Sequence, residues 1–361
     1  MMLIFAGFGL VAFMSASMLA LDVGMFMVAR TQAQAAADAG ALAGATALYY
    51  DNWNDRTATG PAVQNAITAA TAQANAVMKK PVSVIPADVT FPKPEQVKVR
   101  VQRTAGRGNP LLPFIAPMFG IYEVDLGATA TAEAAPANAM TCVKPFTIPD
   151  KWEERTGDPE LFDYLDNKDQ PLAVQDRYVP PGPGYTGYNS ERDRGTQIII
   201  KAGNGSNIAP SIYYPYAMGA GTGADWYREN VVGCNTTMMD FDDLMVAEPG
   251  NMSGPTKQGV QELIDKDPTA YWDDVNRRPV SKYHPSPRVV TIPVFDPVYY
   301  YTGKMNGRTA DLKVANYIGV FVEGFNGNDV VAYITPVAGV YKGNAGPAPA
   351  DAFPRAIVLV Q

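Results

Sequence analysis

Residues 1–48, MMLIFAGFGLVAFMSASMLALDVGMFMVARTQAQAAADAGALAGATAL, decide how the rest of the chain is read. Residues 1–29 carry one charge, Asp22, and are otherwise almost wholly apolar. That length exceeds the roughly 20 residues with which a helix crosses a bilayer. From Arg30 onward alanine dominates, and alanine is the strongest helix former, so a single helix is predicted to run through residue 48. Gly40 and Gly44 form G-x-x-x-G, and Ala37, Ala41 and Ala45 line an adjoining i, i+4 row. Small residues at this spacing let two backbones approach closely. The row lies beyond the apolar span, so it is predicted to pack in a helix bundle outside the bilayer or against the chain's own globular part. Such a helix anchors or assembles; it is not built as a catalytic centre.

At ~1.5 Å per residue, Asp22 lies ~30 Å along the helix from Met1, near the far edge of a bilayer entered at residue 1. It reads either as a solvated interfacial carboxylate or as a desolvated one, paired in an assembled bundle with Arg30 or the Met1 ammonium of a neighbour. Leaving a buried carboxylate unpaired is costly, so such a pair would set subunit register more than add stability. No basic residue precedes Arg30, whereas a first membrane helix normally opens with Lys or Arg on the cytoplasmic side. This predicts removal of a basic leader with Met1 as the processed end, the alternative being a sequence that simply starts late. With a leader removed, everything after Arg30 faces outward. Cys142 and Cys234 can pair in that compartment; two buried free thiols are the alternative.

Downstream, Gly60-Pro61 opens a second helix whose Val63, Ile67, Ala70, Ala74 and Val77 share a face. Lys79-Lys80 and Pro81 end it. Val97 to Val101 alternates as a strand with one solvated face. Residues 111–120, LLPFIAPMFG, read as a short apolar helix or turn, and 122–135 alternates again and pairs with the preceding strand. Residues 150–195 are charged, rich in Pro and Gly, and aperiodic. Strand candidates return at Gln197–Lys201, Arg288–Val294, Leu312–Glu323, Val330–Val337 and Ala356–Val360, with a short helix from Gly254-Pro255-Thr256. The fold class is α+β: a long hydrophobic helix (1–48), a small α/β module (49–140) and a β-rich domain with long loops (141–361). Thirty Pro and 32 Gly suit so loop-rich a body.

Composition excludes several functions. The net charge is −7 and no basic cluster exceeds Lys79-Lys80 or Arg277-Arg278, which argues against nucleic acid, because phosphates require grouped Lys and Arg. With His284 the only histidine, every His-dependent metal site or nucleophile pair would hang on one loop residue. Acidic clusters at Asp163–Asp169, Asp240–Asp243, Asp265–Asp267 and Asp273-Asp274 resemble oxygen-rich Ca²⁺ loops. None has the full twelve-residue pattern, so they read as solvated loop charge, with no metal and no cofactor expected. Paired acids such as Asp242 and Asp273 are the only footing for a hydrolase, and nothing fixes their separation. Tyr213-Tyr214, Tyr216, Trp226-Tyr227, Tyr271-Trp272 and Tyr299-Tyr300-Tyr301 serve either as core or as a binding face.

Leu21-Asp22-Val23-Gly24 through Arg30-Thr31-Gln32, followed by the run Ala35 to Ala45, resembles the amino-terminal signature of TadG-like and TadE-like proteins. These are membrane-anchored, pilin-like components of the bacterial tight-adherence (Flp) pilus system. The resemblance extends to Phe119-Gly120, the Ala/Thr strand 127–135 and the junction Cys142-Val143-Lys144-Pro145. It implies a non-enzymatic, pilin-like structural or assembly subunit of a surface pilus, its helix packing in a filament core or anchoring in the membrane. The implied partners are other copies or other pilus subunits through the helix, and the membrane before assembly. The implied location is the cell envelope, body outward, or an extracellular filament. The chain departs from type IV pilins, whose mature helix carries glutamate at its fifth position; Phe5 stands there. The alternative is a membrane-tethered adhesin binding surfaces or glycans through 141–361.

Overall fold

The computed structural model describes residues 2–51, 55–77, 84–166, 168, 170–202, 208–210, 212–219, 221–248, 250–304, 311–343 and 347–360, with backbone alone for most of 2–19 and for 74–77, 119, 202 and 304. It has two compact units: residues 1–135 with 357–361, and residues 136–356. The expected division at 48 is absent from this partition, because the carboxyl half of the helix is built into the first unit.

In the first unit α1 (Met2–Tyr50) is one unbroken helix, and α2 (Pro61–Val77) opens on proline, tolerated in a first turn that has no use for its N–H. The two helices run antiparallel, since Gly40 faces Ala66 and Ala70 while Gly44 faces Ala62 and Ala66. They cover one face of a four-stranded sheet ordered β1 (Val89–Thr90), β2 (Gln96–Arg103), β3 (Leu126–Pro136) and β15 (Arg355–Val360). The antiparallel register pairs Val97 with Ala132, Val99 with Ala130 and Val101 with Ala128. These six side chains are buried among Ala33, Ala36, Ala37, Ala41 and Ala45, whereas Lys98, Arg100 and Thr129 are exposed. Alanine opposite alanine brings helix and sheet close, and packing at that distance is what holds the unit. The strand expected at 356–360 as part of the β-rich domain instead extends this sheet at the edge of β3.

Among the described residues no helix is long and apolar enough to cross a membrane. The span expected over residues 1–29 is therefore not among the described features. It rests on side chains of residues 1–19, most of which lie outside the described ones. The helix stop expected at Lys79-Lys80 and Pro81 also lies outside them.

The second unit is more than a β-rich domain: it is a barrel. β5 (Phe146–Pro149), β6 (Gln197–Ala202), β7 (Ile212–Pro215), β12 (Val289–Phe295), β13 (Leu312–Asn326) and β14 (Asp329–Thr335) form the ring β12-β5-β7-β6-β14-β13. It closes where Val289 to Phe295 pairs antiparallel with Val314 to Phe321. Closure removes the open sheet edges that invite aggregation. Its interior is filled by Ile148, Ile200, Ile292, Ile318, Val320 and Ile334, as in small barrels generally. A Cβ on Gly319 would collide with the Thr335 carbonyl, so glycine is what fits at this β13 crossing. β9 (Leu244–Met245) extends β13, while β4 (Ala139–Met140) pairs with β8 (Met239–Asp240) and β10 (Tyr271–Asp273) with β11 (Arg278–Val280). Helices α3 (Ala224–Val232), α4 (Ser253–Lys266) and α5 (Pro297–Lys304) complete the unit.

Candidate assembly site on the amino-terminal helix

The two halves of α1 have opposite environments. In the carboxyl half, Gly40 and Gly44 are buried together with Ala37, Ala41 and Ala45. A Cβ on Gly40 would stand 2.8 Å from the Ala70 Cβ and 3.0 Å from the Ala66 carbonyl oxygen. One on Gly44 would stand 2.8 Å from Val97 Cγ1 and 3.0 Å from the Ala66 Cβ. The G-x-x-x-G row thus lets α1 sit down on α2 and β2 of its own chain, and not on a neighbouring helix. Covered in this way, these atoms do not form the face of an external bundle. The half nearer the amino terminus differs: Leu21 (66% exposed), Met27 (67%) and Val28 (57%) remain open, as do Val23 and Gly24.

Asp22 lies between the two halves and is only 1% exposed. Its carboxylate accepts the backbone N–H groups of Phe114 (2.7 Å to Oδ1), Ile115 (2.8 Å to Oδ2) and Ala116 (3.0 Å to Oδ2). The geometry follows from the register. β2 passes α1 in the opposite direction, with Val97 at Gly44 and Val99 at Gly40, so the β2–β3 connection reaches the level of Asp22. Three successive amides turned toward one carboxylate make a small anion cradle. Burial of Asp22 is therefore compensated by dipoles of its own chain and requires no cation from a neighbour. Arg30 is exposed, and among the described residues it forms no ion pair with Asp22. The Met1 ammonium lies outside the described residues.

In the second unit Cys142 and Cys234 are joined in a disulfide across 92 residues. Crosslinking so long a loop restricts the unfolded chain, so replacing both with serine is expected to cost about 2–4 kcal/mol. Urea unfolding of the oxidised and substituted chains reads this directly, and unchanged midpoints would remove the bond from the account of stability.

A second buried carboxylate, Asp150, accepts Tyr178 and Tyr185 hydroxyls on one oxygen and the Lys151 and Tyr188 amides on the other. Burial pushes its pKa up from 3.8 to about 6, against those hydrogen bonds. The folded state holds this proton more tightly than the unfolded chain. The stabilisation is complete below about 3.8 and is lost as pH rises through about 6. Asp150→Asn keeps a carbonyl for the two amides and turns its NH₂ to the two hydroxyls. Its unfolding free energy is expected to be level across that window, whereas that of the parent chain falls as pH rises through it. The same pH slope in both chains would contradict this.

The remaining sites carry structural work. Asp242 pairs with Lys313 at 2.8 Å, Asp273 organises the β10–β11 turn through Val275 and Asn276, and Asp267 accepts the Ser281 and Ser286 hydroxyls. Among the described residues no three His, Cys, Asp or Glu side chains converge on a metal position; Asp169 lies outside them. An open pocket of about 550 Å³ is lined by Arg155, Asp176 and Tyr178, but Asp176 is already engaged by the Arg155 and Asp163 amides. His284 is exposed in its loop. Of the aromatic clusters, Tyr213, Tyr214, Tyr216, Tyr227, Trp272 and Tyr300 are core, leaving Trp226, Tyr271 and Tyr299 exposed.

With this geometry in view, residues 1–47 match the family model of Flp pilus-assembly TadE/G-like proteins (Tad), in agreement with the resemblance read from Leu21 to Ala45. The match covers the helix and supports involvement in pilus assembly, a structural role and a cell-envelope or pilus location. No curated protein and no solved structure matches the chain.

Proposed function

We propose that this chain is a structural or assembly subunit of a Tad-type surface pilus. The amino half of α1 inserts in the membrane before assembly and afterwards packs in the filament core or remains as the anchor. The observation that carries the reading is the contrast along one helix. From residue 33 one face of the helix is buried in its own unit, whereas Leu21, Met27 and Val28 are open and the sequence ahead of Asp22 holds no charge. Exposed apolar surface of this extent marks an interaction with protein or lipid. The partners are therefore membrane lipid first, and then other copies or other pilus subunits, met through residues 1–29 and not through the glycine row.

A charge placed in this segment tests the reading. Phe13→Asp adds about 2.5–3.5 kcal/mol to insertion of a helix centre, which corresponds to on the order of a 100-fold loss. The expected outcome is depletion of the chain from both the membrane fraction and sheared filaments, with the soluble body still folded. Normal levels in both fractions would refute insertion and core packing together.

A further inference from the structure

The connection between β2 and β3 carries a feature that pilus assembly as such does not explain. Residues 108–122, GNPLLPFIAPMFGIY, contain no charged side chain, while Arg107 and Glu123 bracket them. Leu112, Phe114, Met118, Ile121 and Tyr122 are all exposed, Phe114 at 76% and Met118 at 79%. Soluble surfaces rarely present such a group. The backbone beneath is the opposite of a solvated loop. Asp22 takes the N–H groups of Phe114, Ile115 and Ala116, and the turn takes those of Met118, Gly120 and Ile121 within itself. Positions 110, 113 and 117 are prolines and have no N–H. A loop with seven of its donors, those of Leu111, Phe114, Ile115, Ala116, Met118, Gly120 and Ile121, bonded within the chain and its apolar side chains outside suits a medium with little water to bond. A protein partner could offer hydrogen bonds of its own and would not require this.

Position names the medium. The loop is tied to α1 at residue 22, directly after 21 uncharged residues, a helical rise of ~30 Å, about the hydrocarbon thickness of a bilayer. We propose that the 110–122 loop is a membrane-interface anchor. Its Phe114, Met118 and Tyr122 seat at the boundary between headgroups and acyl chains, and Asp22 holds the loop at that depth. Tyr favours this layer, and apolar side chains such as Phe and Met buried there add contact to that of the helix. The inference rests on membrane insertion of residues 1–21, and its consequence is that the first unit stands at a fixed height and orientation on the bilayer instead of swinging on the helix.

Depth-dependent quenching tests it on the full chain in phosphatidylethanolamine–phosphatidylglycerol vesicles. Cys142 and Cys234 are bonded to each other, so Phe114→Cys, Met118→Cys and Phe13→Cys can be labelled singly with an environment-sensitive fluorophore. The expected result is blue-shifted emission at 114 and 118, quenched more by headgroup-level nitroxides than by deep ones, with the reverse order at 13. If 13 is quenched by deep nitroxides while 114 and 118 emit as in water, the anchor is refuted and helix insertion stands. If none of the three is quenched, insertion itself fails and the anchor with it. Labels at 114 and 118 that respond only when other pilus proteins are added would assign the loop to a protein partner and overturn the proposal.

Discussion

Gly40→Leu combined with Gly44→Leu leaves the first unit unable to form while the barrel still folds. Each added side chain starts from a Cβ that already lies 2.8 Å from a neighbouring carbon and close to a backbone carbonyl of α2, at Ala66 for Gly40 and at Ala62 for Gly44. Backbone cannot yield as a flexible side chain tip does, so α2 must lift away from α1. Overpacking one position typically costs about 1–3 kcal/mol, and here two adjacent turns are wedged at once against a strand as well as a helix. Lifting α2 also uncovers the alanines on which the unit depends. The two positions together cost about 2–6 kcal/mol, which reaches the lower end of the about 5–15 kcal/mol by which whole domains are stable, and the uncovered alanines add to it. Hydrogen exchange separates the units: amides of β2 and β3 lose protection, and those of β13 keep it. Single Gly→Ala changes give the same effect in milder form. Retained protection in β2 and β3 would mean that the close approach does not hold the unit.

Asp22→Ala releases the β2–β3 connection. It removes a carboxylate that accepts three amides, and hydrogen bonds to a charged group contribute about 1.5–3 kcal/mol each. They are not additive here, because the loop moves as one, so the loss is smaller than three separate bonds would give but falls on all three amides together. Asp22→Asn is intermediate. Its single carbonyl at the Oδ2 position keeps Ile115 and Ala116, while its NH₂ meets the Phe114 N–H donor to donor. The order parent, Asn, Ala should appear in the exchange rates of the Phe114, Ile115 and Ala116 amides. Equal rates in all three chains would show that the cradle contributes nothing. An Ala variant that loosens the loop but leaves assembly intact would separate the fold of this unit from its use.

Much of this architecture is legible in the sequence. Alanine propensity carries α1 past residue 48 to Tyr50, the alternation at Val97–Val101 sits inside β2, and Gly254-Pro255-Thr256 falls within α4. These are local signals, strong within one turn or one strand. The barrel is not legible. β5 and β7 are four residues each and are bounded by proline, too short for alternation to distinguish them from loop. The home of β15 is hidden for a related reason. Its alternation fits any open edge, and the edge it takes belongs to a strand more than 200 residues earlier.

The small-residue row shows a subtler gap. G-x-x-x-G specifies close approach but not to what, and Ala62, Ala66 and Ala70 on α2 answer it as well as another subunit would. Asp22 stands out as the lone charge of its segment, yet its partners do not, because backbone amides 92 to 94 positions away leave no side-chain signature. The only trace they leave is a proline-rich run without charge, which on its own reads as any apolar turn. The aromatic clusters likewise look alike in sequence whether they fill a core or line a surface.

The amino half of α1 is proposed above as the assembling element of a pilus subunit. Cryo-electron microscopy of appendages sheared from native cells, set beside the washed membrane fraction, decides it. The expected result is this chain in the filament with residues 2–28 packed among other subunits, or in the membrane fraction with the same residues in the bilayer. In either place Gly40 and Gly44 remain against α2. Filaments that assemble normally in cells lacking the chain, with the chain absent from both fractions of the parent cells, would contradict it.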